Sequence, residues 1–216
     1  MVEGAQLAIV PHGTLPISRR AEHTMGMPAA THRRWTAAEV RALPDEPGKR
    51  FEVVDGELFV TTAPAYRHQF VVGSLYAELR AYCRRHHVAS VIFAPADVEL
   101  DPSTLVQPDV FVLPLVDGRL PQTFEETDGL LLAVEVLSPS TSHQDRLAKR
   151  ARYQRAGAEA WIVDIDARLV ERWLPEDARP EIVTETLEWT APSAPEPLTL
   201  DLPGLFAEAL GERLNG

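Results

Sequence analysis

The clearest periodicity in the chain lies between Tyr66 and Arg85. Apolar residues at 70, 71, 75, 79 and 82 fall on one face at helical spacing. Ahead of it, Arg50 to Thr62 alternates apolar and polar positions around Asp55-Gly56, the pattern of a β-hairpin with a tight turn, and Pro64 ends the second strand. Earlier still, Thr36-Ala37-Ala38-Glu39 has the form of a capping box opening a short helix, which Pro44 closes.

Beyond the long helix the pattern changes to short apolar runs. Val88–Phe93, Ala96–Leu100, Val106–Leu113 and Leu130–Leu137 are β-branched or apolar segments bounded by Pro, Gly or Asp, and read as strands. Leu130 to Val134 is continuously apolar, as expected of a strand covered on both faces. Ser138 to Ser142 signals a turn and a helix N-cap, and the helix it opens runs to Ala156 before Gly157 stops it. Ala160–Asp164, Leu169–Leu174 and Ile182–Trp189 follow as strands. Pro192, Pro195 and Pro197 mark a linker, and Leu205–Leu214 predicts a last short helix. Residues 1–32 mix Gly, Pro, Ser, Thr and His with little periodicity and predict a flexible tail. Residues 33–214 then form a single α/β domain, a mixed central β-sheet flanked by helices.

Composition narrows the class. The chain has 216 residues, 45% hydrophobic and 25% charged, values of an ordinary globular domain. A single cysteine, Cys83, excludes an intramolecular disulfide framework and a Cys-cluster zinc site. There is neither an apolar run of 18 residues nor a signal-peptide pattern, so no membrane span is expected and the expected location is cytoplasmic. A net charge of −11 argues at first sight against nucleic acid. That acidity is uneven. Residues 156–216 hold 13 acids against 4 bases, while residues 1–155 are nearly balanced at 19 against 17. Arg146, Lys149, Arg150, Arg152 and Arg155 form a local basic stretch, and local field matters more than total charge to an anionic substrate. The plain alternative is a solvated helix face.

Two acids sit where acids are costly. Asp109 lies within Val106–Val112, and Glu135 within Leu130–Leu137. A carboxylate in such a place costs several kcal/mol unless a cation or hydrogen-bond donors meet it. Two on adjacent strands would suit a hard cation such as Mg²⁺, commonly held by one or two carboxylates with water and phosphate oxygens. The alternative is that each is exposed at a strand end or paired with an arginine. Asp145, Lys149 and Tyr153 share one face of the following helix, from which the Lys149 ammonium could orient an attacking water. Its alternative is a surface ion pair with Asp145.

These blocks carry a resemblance. Gln107-Pro108-Asp109-Val110, Val134-Glu135-Val136-Leu137-Ser138-Pro139-Ser140-Thr141, then Asp145, Lys149 and Tyr153, then Gly157 and Trp161-Ile162-Val163-Asp164 resemble the Uma-two family of restriction-endonuclease-like proteins, in the PD-(D/E)XK nuclease superfamily. Phe51 to Leu58 resembles its N-terminal hairpin motif, His68 falls at the family's place early in the first long helix, and Leu198–Phe206 resembles its C-terminus. The likeness spans about residues 33–214. It implies a restriction-endonuclease-like fold and Mg²⁺-dependent (or Mn²⁺-dependent) hydrolysis of DNA, double-stranded DNA being the suspected substrate and a homodimer the form that cuts. It further implies that Asp109, Glu135 and the Val136 carbonyl hold the metal. The superfamily lysine position is occupied by Leu137, and the resemblance implies that Lys149 takes the place of that lysine. Glu57 is a candidate third acid. His68 is a candidate for contacting phosphate or positioning Glu57, Tyr153 for packing around Lys149, and Arg146 and Arg150 for outer phosphate contacts. Two other readings stay open: a catalytically silent binding or assembly module on the same fold, and a hydrolase of a small phosphate compound.

Overall fold

The computed structural model describes residues 33–62, 65–137 and 143–212, and of 143–146 the backbone alone. The predicted tail over residues 1–32 lies outside the described residues, as does the turn at 138–142. The capping box is present. Thr36 accepts from the Glu39 amide and the Glu39 carboxylate accepts from the Thr36 amide, opening α1 (Ala37–Arg41). The hairpin is β1 (Lys49–Val54) with β2 (Glu57–Thr62), and Asp55 and Gly56 both take positive φ, 52° and 78°, as a tight two-residue turn requires. Then come α2 (Tyr66–His86), β3 (Ala89–Phe93), β4 (Val98–Asp101), β5 (Thr104–Val106), β6 (Val110–Pro114), β7 (Leu132–Val136), α3 (His143–Arg155), β8 (Glu159–Asp164) and β9 (Leu169–Trp173). The chain continues with β10 (Glu181–Val183), β11 (Thr186–Trp189), β12 (Leu198–Asp201) and α4 (Leu202–Ala209).

The strands build a six-stranded sheet, ordered β10-β9-β8-β7-β6-β3, and a four-stranded antiparallel sheet, β2-β1-β5-β4. β11 and β12 form a separate ribbon. In the larger sheet only β7 and β8 run parallel, and α3 supplies the crossover that a parallel pair needs. One face of this sheet, with Val110, Val112, Val134 and Trp161, packs on Val71, Leu75 and Leu79 of α2, on Leu187 and Trp189 of the ribbon and on Phe206 of α4. The opposite face, with Phe111, Ala133, Ala160 and Ile162, packs on Tyr153 of α3 and on Val54, Val98 and Val106 of the smaller sheet. β1 is divided the same way. Val53 joins Ala37, Val40 and Leu105 beneath α1, whereas Val54 faces α3.

Two predicted strands are each split. Val106–Leu113 breaks at Gln107-Pro108-Asp109, so that β5 lies in one sheet and β6 in the other. Pro108 has no amide hydrogen for a continuous ladder, which is why the run breaks there. Ile182–Trp189 divides into β10, paired with β9, and β11, paired with β12. The last helix starts at Leu202 rather than Leu205, with a proline in its first turn. Cys83 is buried in the α2 core, and desolvation pushes its thiol up to about 11.

Candidate active site

The joint between the sheets carries the site. Asp109 immediately precedes β6, which pairs antiparallel with β7 through Val110↔Val134. Continuing that register by one step sets Asp109 opposite Glu135, positions whose Cβ atoms in an antiparallel ladder lie about 5 Å apart. Both residues occupy the strand face that looks toward α3. Lys149, one helical turn before the fully buried Tyr153, enters from that helix.

Every member is buried. Relative exposure is 4% for Asp109, 7% for Glu135, 4% for Lys149, 5% for His68 and 1% for Glu52. Asp109 accepts from the Val136 amide at 3.0 Å, lies 3.2 Å from His68 Nε2 through the same oxygen, and meets Arg50 Nη1 at 3.3 Å through the other. Glu135 Oε1 accepts from the Tyr153 hydroxyl at 2.6 Å and lies 3.7 Å from Lys149 Nζ. Lys149 Nζ donates to Glu52 Oε2 at 2.7 Å, and Glu52 Oε1 accepts from the Gln107 amide at 2.7 Å.

These contacts set opposite ionisation tendencies. Desolvation works to raise Asp109, but the His68 hydrogen bond and charge, Arg50 and the Val136 amide together hold it below the usual carboxylate range. For Glu135 desolvation dominates. Lys149 opposes it, Asp109 and Glu52 add to it, and the carboxyl is pushed up to about 8. Tyr153 is raised well above its ordinary value, first by burial and then by the neighbouring acids. Burial disfavours the Arg50 cation, yet Asp109, Glu52 and Glu135 outweigh it and raise Arg50. The result is one carboxylate held ionised beside one inclined to keep its proton unless further positive charge arrives.

The structure thus brings together Asp109, Glu135, the Val136 backbone, Lys149, His68 and Tyr153. It leaves Glu57 out. Glu57 is exposed at the start of β2, opposite Val54, and the third acid beside the lysine is Glu52. His68 accordingly meets Asp109, not Glu57. Arg150 is also placed elsewhere. Its guanidinium lies 4.1 Å from the Trp173 ring centre and donates to Gln154 at 2.6 Å. Arg152 is tied to Asp101 and Asp55. The side chains of Asp145 and Arg146 lie outside the described residues. Asp109 partly realises the alternative of an arginine-paired acid, through Arg50.

Arg50 and Glu52 escaped the sequence reading, and Gln107 entered it only as part of the block Gln107-Pro108-Asp109-Val110. A signal existed: residues 50, 52 and 54 share one face of β1 by strand alternation. That face reads as the solvent side of a hairpin until α3, about a hundred residues later, covers it.

The donor set suits a hard cation, since Asp109, Glu135 and the Val136 carbonyl all offer oxygen. Among the described residues no three His, Cys, Asp or Glu side chains gather to hold a metal by themselves. A cation here would complete its shell with water and substrate oxygens, the habit of Mg²⁺. Also among the described residues, no helix is long and apolar enough to cross a membrane.

Comparison with known proteins gives no match among curated proteins. A solved structure from Anabaena variabilis, described as "a putative nuclease belonging to DUF820", superposes with a TM-score of 0.65 at 20% identity, covering 81% of this chain and 99% of that one. The two share a nuclease-like fold. The model of the Uma2 family, described as "Putative restriction endonuclease", matches residues 37–204, and the chain belongs to that family.

Proposed function

We propose that the protein is a divalent-cation-dependent endonuclease that hydrolyses phosphodiester bonds of double-stranded DNA in the cytoplasm, cutting as a homodimer. The observation that carries this is the convergence of two buried carboxylates from adjacent strands, Asp109 and Glu135, with the buried ammonium of Lys149. Asp109, Glu135 and the Val136 carbonyl would hold Mg²⁺ or Mn²⁺. When bound, the ion acidifies a water molecule and offsets charge on the phosphate. His68 and the Val136 amide fix the Asp109 carboxylate, and the Tyr153 hydroxyl fixes Glu135. Glu52 holds the Lys149 ammonium beside Glu135, where it orients the attacking water and stabilises charge developing on the phosphoryl oxygens.

The test is cleavage of supercoiled and linear DNA with Mg²⁺ or Mn²⁺, by wild type, Asp109→Ala and Glu135→Ala. Metal-dependent cutting is expected from wild type alone. An identical, metal-independent background from all three would remove the proposal.

One observation favours the silent module: both Asp109 oxygens already have partners in the protein. Calorimetric titration of Mn²⁺ separates the readings. A catalytic site binds the ion in wild type and loses it in Glu135→Ala, whereas a silent module shows no binding in either.

A further inference from the structure

Beside the cluster lies a cleft of about 460 Å³ between the start of β1 and the loop after β3. Its volume falls within the range of about 300–1,000 Å³ usual for small-ligand sites. Two of its lining residues, Arg50 and Gln107, also reach into the cluster, Arg50 to Asp109 and the Gln107 amide to Glu52. The cleft and the carboxylates therefore share a wall.

The other cations lining the cleft are committed. Arg41 is paired with Asp97 and Glu99, and Lys49 with Glu46. Asp97 is further engaged by the Gln107 side-chain amide at 2.8 Å. Arg50 differs. Among the described residues its one acidic hydrogen-bond partner is Asp109, and its side chain remains 24% exposed. Its other contact, to the Gln107 carbonyl at 3.2 Å, is neutral. An arginine whose counter-charge is itself a prospective cation ligand can be redirected without stranding a charge. Once a cation takes the carboxylate, the guanidinium is free to meet another anion, and its planar fork matches a phosphate.

We infer that this cleft is the substrate subsite for the nucleotide flanking the bond that is cut, and that Arg50 is its phosphate anchor. The inference rests on the nuclease reading. It also moves the phosphate contact from the helix arginines, where Arg150 and Arg152 are tied to the protein, to β1.

The test measures binding of a fluorescently labelled DNA duplex, with Ca²⁺ in place of Mg²⁺, as a function of salt. Arg50→Ala should weaken binding roughly tenfold and lower the log–log salt slope by about 1, as expected for one lost phosphate contact. Arg50→Gln, which keeps a donor for the Gln107 carbonyl, should do the same, while Arg50→Lys keeps the slope and loses less affinity. Arg150→Ala should leave the slope unchanged. Titrated with Ca²⁺ alone, Arg50→Gln should bind the ion at least as well as wild type, because a competing cation has gone. Wild-type affinity and slope in Arg50→Ala and Arg50→Gln would overturn the assignment. So would a parallel loss of Ca²⁺ and DNA binding, which would make Arg50 only a support for Asp109. Wild type that shows no salt-dependent duplex binding would remove the nuclease reading along with it.

Discussion

Replacing Lys149 with methionine is the most demanding perturbation of this site. The side chain is 4% exposed and its partner Glu52 only 1%, so the pair at 2.7 Å is out of water on both sides. Methionine fills a similar volume but leaves Glu52 buried without its cation. Breaking a buried pair from one side costs about 3–5 kcal/mol. For a domain of this size that lowers the melting temperature by roughly 6–20 °C. Urea unfolding of Lys149→Met, Glu52→Gln and the double variant at pH 7 measures it. The double variant should recover about 2–4 kcal/mol of the summed losses, as coupled buried charges do. A coupling under about 0.5 kcal/mol, the value of an exposed pair, would refute the account of a buried ion pair.

Other outcomes follow from the same contacts. In EDTA the raised Glu135 carboxyl contributes stability that is fully present below about 4.5 and is lost as pH rises toward 8. Thermal melts between pH 6 and 9 should therefore slope downward in wild type and more weakly in Glu135→Gln; equal slopes would show that Glu135 does not hold its proton. Mg²⁺ uptake near pH 7 should release a proton from Glu135, visible as a binding enthalpy that changes with the buffer's ionisation enthalpy. Tyr153→Phe removes the 2.6 Å bond to Glu135, leaves a buried acceptor unsatisfied and should cost about 1–3 kcal/mol in denaturant unfolding. Arg150→Ala should lower stability by about 0.5–2 kcal/mol through the lost Trp173 contact.

Most of the architecture is written in short-range patterns. The capping box at Thr36, the Asp55-Gly56 turn and the periodicity of α2 are local, and each is found where its pattern places it. The split strands were illegible because apolarity alone does not say which sheet a strand joins. Pro108 was the only local mark of the break. The site divides on the same line. Asp109 and Glu135 stand out because acids inside apolar runs are costly wherever the chain goes. Glu52 sits in an alternating hairpin where a carboxylate looks solvated, and only the later packing of α3 makes it buried. Glu57, at the hairpin end, looked equally suitable and stayed in solvent. The basic stretch on α3 shows the converse. Its charges were visible, but their partners, Trp173, Asp101 and Asp55, come from three different elements.

The three-residue joint Gln107-Pro108-Asp109 hands the chain from one sheet to the other, and both its polar ends are gripped by β1: the Gln107 amide by Glu52, and its carbonyl and the Asp109 carboxylate by Arg50. The cluster is thus a rivet between the two halves of the domain as well as the proposed catalytic site. Selection for a folded protein alone would then preserve Glu52, Arg50 and Lys149 long after any chemistry had been abandoned. Among descendants of such a chain, decay would show first at residues that serve the reaction and not the seam.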